Sequence, residues 1–552
     1  VTRVSLLAGV VIVASAAASV RGGLDGLAAR AAVPASVAAD LRTGIGAQQA
    51  PGKEASGGGC GAAPGSTPLG PGWNGWGADA ANTRYQPTPG ISVADVPQLK
   101  LKWAFGFPGG VLAFSQPTIT GGRVFAGSDI GRVYALSAES GCTYWSFAAD
   151  AGVRTAVIIG RIGSTRYAAY FGDTKANVYA VDAVSGELIW KKQADDHRFA
   201  RITGTPALHD GRLYAPVSSI EETAGGRPNY ACCTFRGSVV AYDAASGAQL
   251  WKTYTVPDVP VAAGTNAAGT PIMKPAGAAV WNSPTLDVTR GVLYIGTGNS
   301  YTEPAVDTSD SVIAIDMKSG RMLWHNQVTP KDAYVIGCRS GADGCPKEVG
   351  PDFDFGNSPI LRVLPGGKRI IVIGQKSGMA YGLDPDQQGR KVWEFRAGKG
   401  SALGGIEWGS AADEQNAYIP VSDVLSPANE SGGLFALKLA TGEAVWHTPH
   451  PHLDCTAGRG CSGAQSAPIS VMPGAVFSGS VDGHLRAYST ADGRIIWDYN
   501  TAKEYETVNG VKAKGGSIDA AGPAIADGLV VTNSGYALWK GMPGNVLLAF
   551  SK

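Results

Sequence analysis

One pattern recurs along this chain and constrains its fold more than any other feature. The segments GRVYALSAESGCTYW, ANVYAVDAVSGELIW, GSVVAYDAASGAQLW, DSVIAIDMKSGRMLW, GMAYGLDPDQQGRKVW, GGLFALKLATGEAVW and GHLRAYSTADGRIIW end on Trp145, Trp190, Trp251, Trp324, Trp393, Trp446 and Trp497. Each is an alternating strand, a turn closing on Gly, and a second strand ending in Trp. Period-two alternation belongs to strands, not helices. Glycine in the turn supplies the positive φ of a tight hairpin. The tryptophans lie 45 to 73 residues apart, a repeat length that signals a propeller or an array. LKLKWAF places Trp103 upstream without its preceding strand, and GNVLLAFSK at the C-terminal end is a strand without its Trp. Joined, they make an eighth unit and close a ring. The pattern therefore predicts an all-β fold, an eight-bladed β-propeller over residues 70–552, with no exposed edge strands. A row of separate sandwich domains is the alternative.

Charged residues make up 16% of the chain, the net charge is +1, and no polybasic block occurs. A nucleic-acid partner is therefore not expected. Residues 1–19 have the anatomy of a secretory signal peptide: Arg3, an apolar stretch over 4–14, and small residues at Ala16–Ser19. The stretch is short for a stable membrane span. Residues 20–69, rich in Ala, Gly, Pro and Ser, read as a linker. Export implies a periplasmic or secreted protein in which disulfides are permitted. Of the eight cysteines, Cys338 and Cys345 can close one short loop and Cys455 and Cys461 another, which leaves Cys60 with Cys142. Cys232 and Cys233 are adjacent. They are either two unrelated buried thiols or a small rigid surface made for contact.

The A-x-D-x-x-[ST]-G-x-x-x-W repeat resembles the docking motif of the quinoprotein alcohol dehydrogenases, which bind pyrroloquinoline quinone (PQQ) on the axis of an eight-bladed propeller. GWNGWGADAANTRYQP at 72–87 and LKWAFGFPGG at 101–110 are similar in particular to the polyvinyl alcohol dehydrogenases. The resemblance implies that Cys232 and Cys233 form a vicinal disulfide on one face of the quinone, with Trp281 on the other. It implies a calcium ion on Glu221, with Glu222 as the neighbouring alternative, and on Asn299 and Asp354. Arg154, Thr203, Ser218, Ser219, Lys376, Glu407 and Trp408 match cofactor-contacting positions. Glu407 stands where many members carry Asn, and His484 where some carry an aromatic. Phe353–Asp354–Phe355 matches the triplet that carries the general base, with Asp352 and Asp332 as rivals. Gly356 occupies the position where lanthanide-using relatives have a second Asp, which favours calcium.

By this resemblance the reaction is oxidation of a secondary alcohol to a ketone, polyvinyl alcohol being the closest parallel. Asp354 takes the hydroxyl proton and calcium acts as Lewis acid on the quinone. Some relatives carry a fused haem domain, but no C-x-x-C-H occurs here, so a separate cytochrome c is the expected electron acceptor. A cofactor-free scaffold, resembling the outer-membrane assembly lipoproteins that share a related repeat, is the competing reading. GTGNSY lacks the G-K-[ST] of a phosphate loop. The histidines of HTPHPHLDC read as part of a loop held by Cys455 and Cys461 rather than a metal site.

Overall fold

The computed structural model describes residues 59–60, 69–70 and 72–552. The stretches read as leader and linker lie outside the described residues except at 59–60 and 69–70. Among the described residues, eight antiparallel sheets of four or five strands follow one another along the chain, beside two short two-stranded ones. Blade 1 runs outward through Thr118–Thr120, Arg123–Gly127, Arg132–Ser137 and Thr143–Ala148, with Gly72–Trp73 added at its inner edge. Blades 2 to 7 span 158–193, 207–254, 285–327, 360–396, 411–448 and 470–500. Blade 8 combines Ala524–Ala526, Leu529–Ser534 and Val546–Ser551 with an outer strand from the other end of the propeller, Lys100–Gly106. Trp103 there lies opposite Ala549. The ring closes where the two incomplete repeats predict.

The repeat motif has a physical reason at each position. Every motif tryptophan is paired with a small residue on the neighbouring strand, as Trp145 with Ala135, Trp190 with Ala180 and Trp393 with Gly382. A one-residue register shift beside each pair turns the indole toward the next blade. In seven of the eight the N–H donates there to a backbone carbonyl, as Trp103 to Ala138 at 3.0 Å, Trp145 to Ala183 at 3.1 Å, Trp190 to Ala244 at 3.0 Å and Trp393 to Leu439 at 2.8 Å. Trp497 closes the circle by donating to Leu99 at 3.2 Å. The turn glycine of the next repeat lies flat on the indole. At Gly186, φ is 77° and a Cβ would stand 2.8 Å from the Trp145 ring, so glycine is required twice over. Buried Val, Ile, Ala and Tyr side chains fill the space between neighbouring sheets.

Two kinds of connection converge on one end of the ring: the segments that lead into each blade's first strand, and those that leave the second. Four disulfides hold the described loops: Cys60–Cys142, Cys232–Cys233, Cys338–Cys345 and Cys455–Cys461. The adjacent pair is thus a vicinal bridge, not two thiols. An exposed hairpin, Val261–Thr265 with Pro271–Lys274, straps it through backbone bonds between Met273 and both cysteines.

Candidate active site

Asp354 is the centre of this end of the ring. Its Oδ1 accepts the backbone N–H of Asn299 at 2.7 Å and its Oδ2 meets Lys376 Nζ at 2.8 Å. Lys376 also contacts Asp352 at 3.2 Å and lies 5.3 Å from the Trp281 ring centre. Burial alone would lower the ammonium's proton affinity, but the two carboxylates raise it well above the ordinary lysine range. Asn299 spends its amide hydrogens on the carbonyls of Ser300 at 2.8 Å and Tyr334 at 2.9 Å. Its Oδ1 is left as an acceptor with no donor among the described residues. Asp332, a rival for the base, accepts from the N–H groups of Asp352 and Phe353 and so holds the loop that presents Asp354.

The two adjacent glutamates divide their work. Glu221 is fully buried and its oxygens accept from Tyr230 Oη at 2.7 Å, Thr234 N at 2.9 Å and Phe235 N at 2.8 Å. Burial raises its proton affinity, but hydrogen bonds from His197, Tyr230, Phe235 and Thr234 outweigh that and hold it below the usual carboxylate value. Through these bonds to Tyr230, Thr234 and Phe235, Glu221 ties down the loop that carries the disulfide. Glu222 opens the helical turn Glu222–Gly225 and is the one that feels the site. Burial and the charge of Asp354 push its carboxyl up to about 7, against the pull of Lys376 and Arg201. Gly225, at the end of the turn, has no room for a Cβ, which would fall 2.8 Å from Cys232 Sγ.

Trp281 is half-buried and meets Trp408 edge-on, ring centres 4.9 Å apart. A Cβ on Gly356 would overlap the Trp281 ring. Thr203 Oγ1 lies 2.9 Å from Ser218 Oγ and donates to the Trp281 carbonyl at 3.4 Å, while Ser219 Oγ accepts from Glu221 N at 2.8 Å. Arg154 stacks 3.9 Å above the Trp408 ring with Nη2 buried and unpartnered. Arg201, two residues before Thr203 in RITGTP, also has an unpartnered buried Nε. Burial, and then the charge of Arg154, lower it to about 10. Arg201 ends the short strand Ala200–Arg201 just before Thr203, and no motif in the sequence marks it. Trp408 Nε1 donates to Asp519 at 2.9 Å, and Glu407 is buried with Oε2 unpartnered. His484 does not join this group: it is bound to Asp498 of the adjacent outer strand at 2.6 Å.

These residues suit particular guests. Two half-buried guanidinium groups that repel each other, each with a buried nitrogen left without a partner, call for an anion. A half-buried indole with a glycine at its rim calls for a flat ring. Glu222, Asn299 Oδ1 and Asp354 are the oxygen donors a hard cation takes. A larger cleft of about 470 Å³, lined by Asn74, Asp79, Arg161, His209 and Ser283 among others, shares none of these charged side chains.

Comparison with known proteins agrees with the geometry. Residues 220–337 match the family model described as glucose/ethanol/alcohol dehydrogenase, beta-propeller domain, and residues 83–224 match that of the outer membrane protein assembly factor BamB. The chain is 45% identical over 492 residues to a polyvinylalcohol dehydrogenase from a Pseudomonas species, covering 87% of this chain and 76% of the relative. It is 44% identical to that of Sphingopyxis sp. strain 113P3, covering 89% and 78%. The same fold occurs in the quinohemoprotein alcohol dehydrogenase ADHIIG from Pseudomonas putida HK5, with a TM-score of 0.65 at 19% identity over 87% of this chain and 80% of that one. A europium-containing methanol dehydrogenase gives 0.64 at 18% identity, covering 88% and 98%.

Proposed function

The chain belongs to the PQQ-dependent alcohol dehydrogenases, and from that premise we propose that it oxidises secondary alcohols to ketones, polyvinyl alcohol among them, with PQQ and calcium at the axial site and a separate cytochrome c as electron acceptor. The carrying observation is Asp354, fixed between Asn299 N at 2.7 Å and Lys376 at 2.8 Å, with Lys376 in turn over the Trp281 ring. When bound, PQQ supplies the two-electron acceptor and calcium the Lewis acid.

The chain's own residues do the rest. Trp281 and the Cys232–Cys233 bridge would flank the flat ring of the cofactor. Arg154 and Arg201 take the anionic edge, with Thr203, Ser218 and Ser219 beside them. Glu222, Asn299 and Asp354 hold the cation, Glu222 replacing Glu221 in that role. Asp354 accepts the alcohol's hydroxyl proton, its orientation set by Asn299 and Lys376. Lys376, held protonated by Asp352 and Asp354, would donate toward the quinone oxygens. The N-terminal pattern supports a periplasmic or secreted location. Among the described residues no helix is long and apolar enough to cross a membrane. A cofactor-free scaffold leaves the unpaired Arg154, Arg201 and Glu407 without a purpose.

The test is reduction of an artificial one-electron dye by the exported protein with polyvinyl alcohol and with a simple secondary alcohol. Turnover that requires both PQQ and calcium, and falls by about 10³-fold or more in Asp354→Asn, supports the reading. Turnover without PQQ, or none with any secondary alcohol, refutes it.

A further inference from the structure

We propose that Glu407 is a neutral acid in the working site and donates its carboxyl proton to an oxygen of the bound quinone, so that cofactor loading is linked to pH through this residue. The inference rests on the reading of the axial site as a PQQ site.

Glu407 sits in the tight turn that leads into blade 6, at 8% exposure. Gly404, with φ of 88°, lies so close that a Cβ there would meet Glu407 Oε2. That oxygen is buried without a partner, and no donor among the described residues reaches either oxygen. Its acidic neighbours differ. Asp354 has Asn299 N and Lys376, Asp352 has Lys376, Asp332 has two backbone N–H groups, and Asp519 has the Trp408 indole. An ionised carboxylate buried without a donor is strongly disfavoured, whereas a protonated one needs only an acceptor.

The surrounding charge points the same way. The groups around Glu407 are Lys376, Asp519, Asp354, Arg154 and Tyr536. Lys376 is already shared by Asp352 and Asp354, and Arg154 stacks on Trp408. Burial, Asp519 and Asp354 outweigh the pull of Lys376 and Arg154, and the carboxyl is pushed up to about 8. An arriving tricarboxylate adds negative charge and favours the neutral acid further. A neutral carboxyl with no acceptor of its own can satisfy its proton only on the guest. This role is separate from that of Asp354, which takes a proton from the substrate.

The consequence is a pH-dependent affinity. Below its titration point Glu407 is protonated and binding is flat. Above it, binding must carry a proton in, and affinity falls about tenfold per pH unit. The experiment uses the full-length apoprotein with calcium held constant. PQQ binding is read as quenching of tryptophan fluorescence from about pH 6.5 to 9.5. The wild-type Kd is expected to rise about tenfold per pH unit above about 8, and calorimetry in buffers of different ionisation enthalpy to show uptake of about one proton there. Glu407→Gln, which keeps a neutral donor, is expected to flatten the profile, take up no proton, and bind at high pH as tightly as wild type does near neutrality. Glu407→Asn serves the same purpose if the Gln variant does not fold. An unchanged slope in the variant that folds overturns this inference and leaves the PQQ reading standing. Absence of PQQ binding by wild type at every pH overturns both.

Discussion

Replacing Glu221 and Glu222 one at a time separates a structural carboxylate from a site carboxylate. Glu221→Gln keeps one acceptor oxygen and turns an NH₂ group toward backbone N–H donors that lie at 2.8–2.9 Å in the native protein. One of Thr234 N and Phe235 N is left facing a donor, and the remaining bonds fall from charge-assisted to neutral. An unsatisfied buried donor costs about 1–3 kcal/mol and a lost charge assistance about another 1 kcal/mol, so the variant is expected to lose about 3 kcal/mol. Urea unfolding of the apoprotein reads this as a lower midpoint at unchanged slope. The gap has a defined pH dependence. Glu221 titrates below its ordinary value of 4.5 in the folded protein, so its stabilisation is complete above about 4.5 and is lost as pH falls through the folded value. Glu222→Gln removes a carboxylate repelled by Asp354 and Asp332, so the apoprotein is expected to unfold at the same midpoint or higher while losing its response to calcium. The reasoning fails if Glu222→Gln destabilises as much as Glu221→Gln, or if Glu221→Gln keeps full stability and abolishes the calcium response.

Gly356→Ala drives a methyl group into the Trp281 ring and is expected to weaken PQQ binding by at least about tenfold, measured by fluorescence titration, with little change in unfolding midpoint. Gly186→Ala meets both a φ of 77° and the Trp145 indole at 2.8 Å, and about 2–4 kcal/mol of stability should be lost in urea. Arg201→Lys keeps the charge but not the planar fork; PQQ affinity is expected to fall about tenfold in equilibrium titration while the unfolding midpoint stays within about 1 kcal/mol.

The repeat made the fold legible because each of its positions answers to a local constraint. Alternation fixes the strand faces, the turn needs a positive φ, and Trp needs a small partner and a glycine to lie on. Trp103 and the C-terminal strand could be joined from the pattern alone, since each lacked what the other had. Trp281, Asn299, Asp354 and Lys376 came from the family resemblance alone, and the fold brings them together: Asp354 meets Asn299 N and Lys376, and Lys376 lies over Trp281. The different surroundings of Glu221 and Glu222 were not legible. The chain leaves Ser219 extended and begins a helical turn at Glu222, and that change of backbone direction gives the two adjacent carboxylates different partners. Arg201 was missed because nothing local distinguishes a strand arginine with an unpaired nitrogen from one that is solvated. His484 is held by its partner on the next strand, Asp498, and a pairing between strands is invisible in a single segment.

The central claim is tested most directly by a crystal structure of the protein grown with PQQ and calcium. The account predicts the quinone ring between Trp281 and the Cys232–Cys233 bridge, its carboxylates toward Arg154 and Arg201, and the cation on Glu222, Asn299 and Asp354. A cofactor bound away from Trp281, or a cation ligated by Glu221 with the Tyr230, Thr234 and Phe235 contacts released, would contradict it.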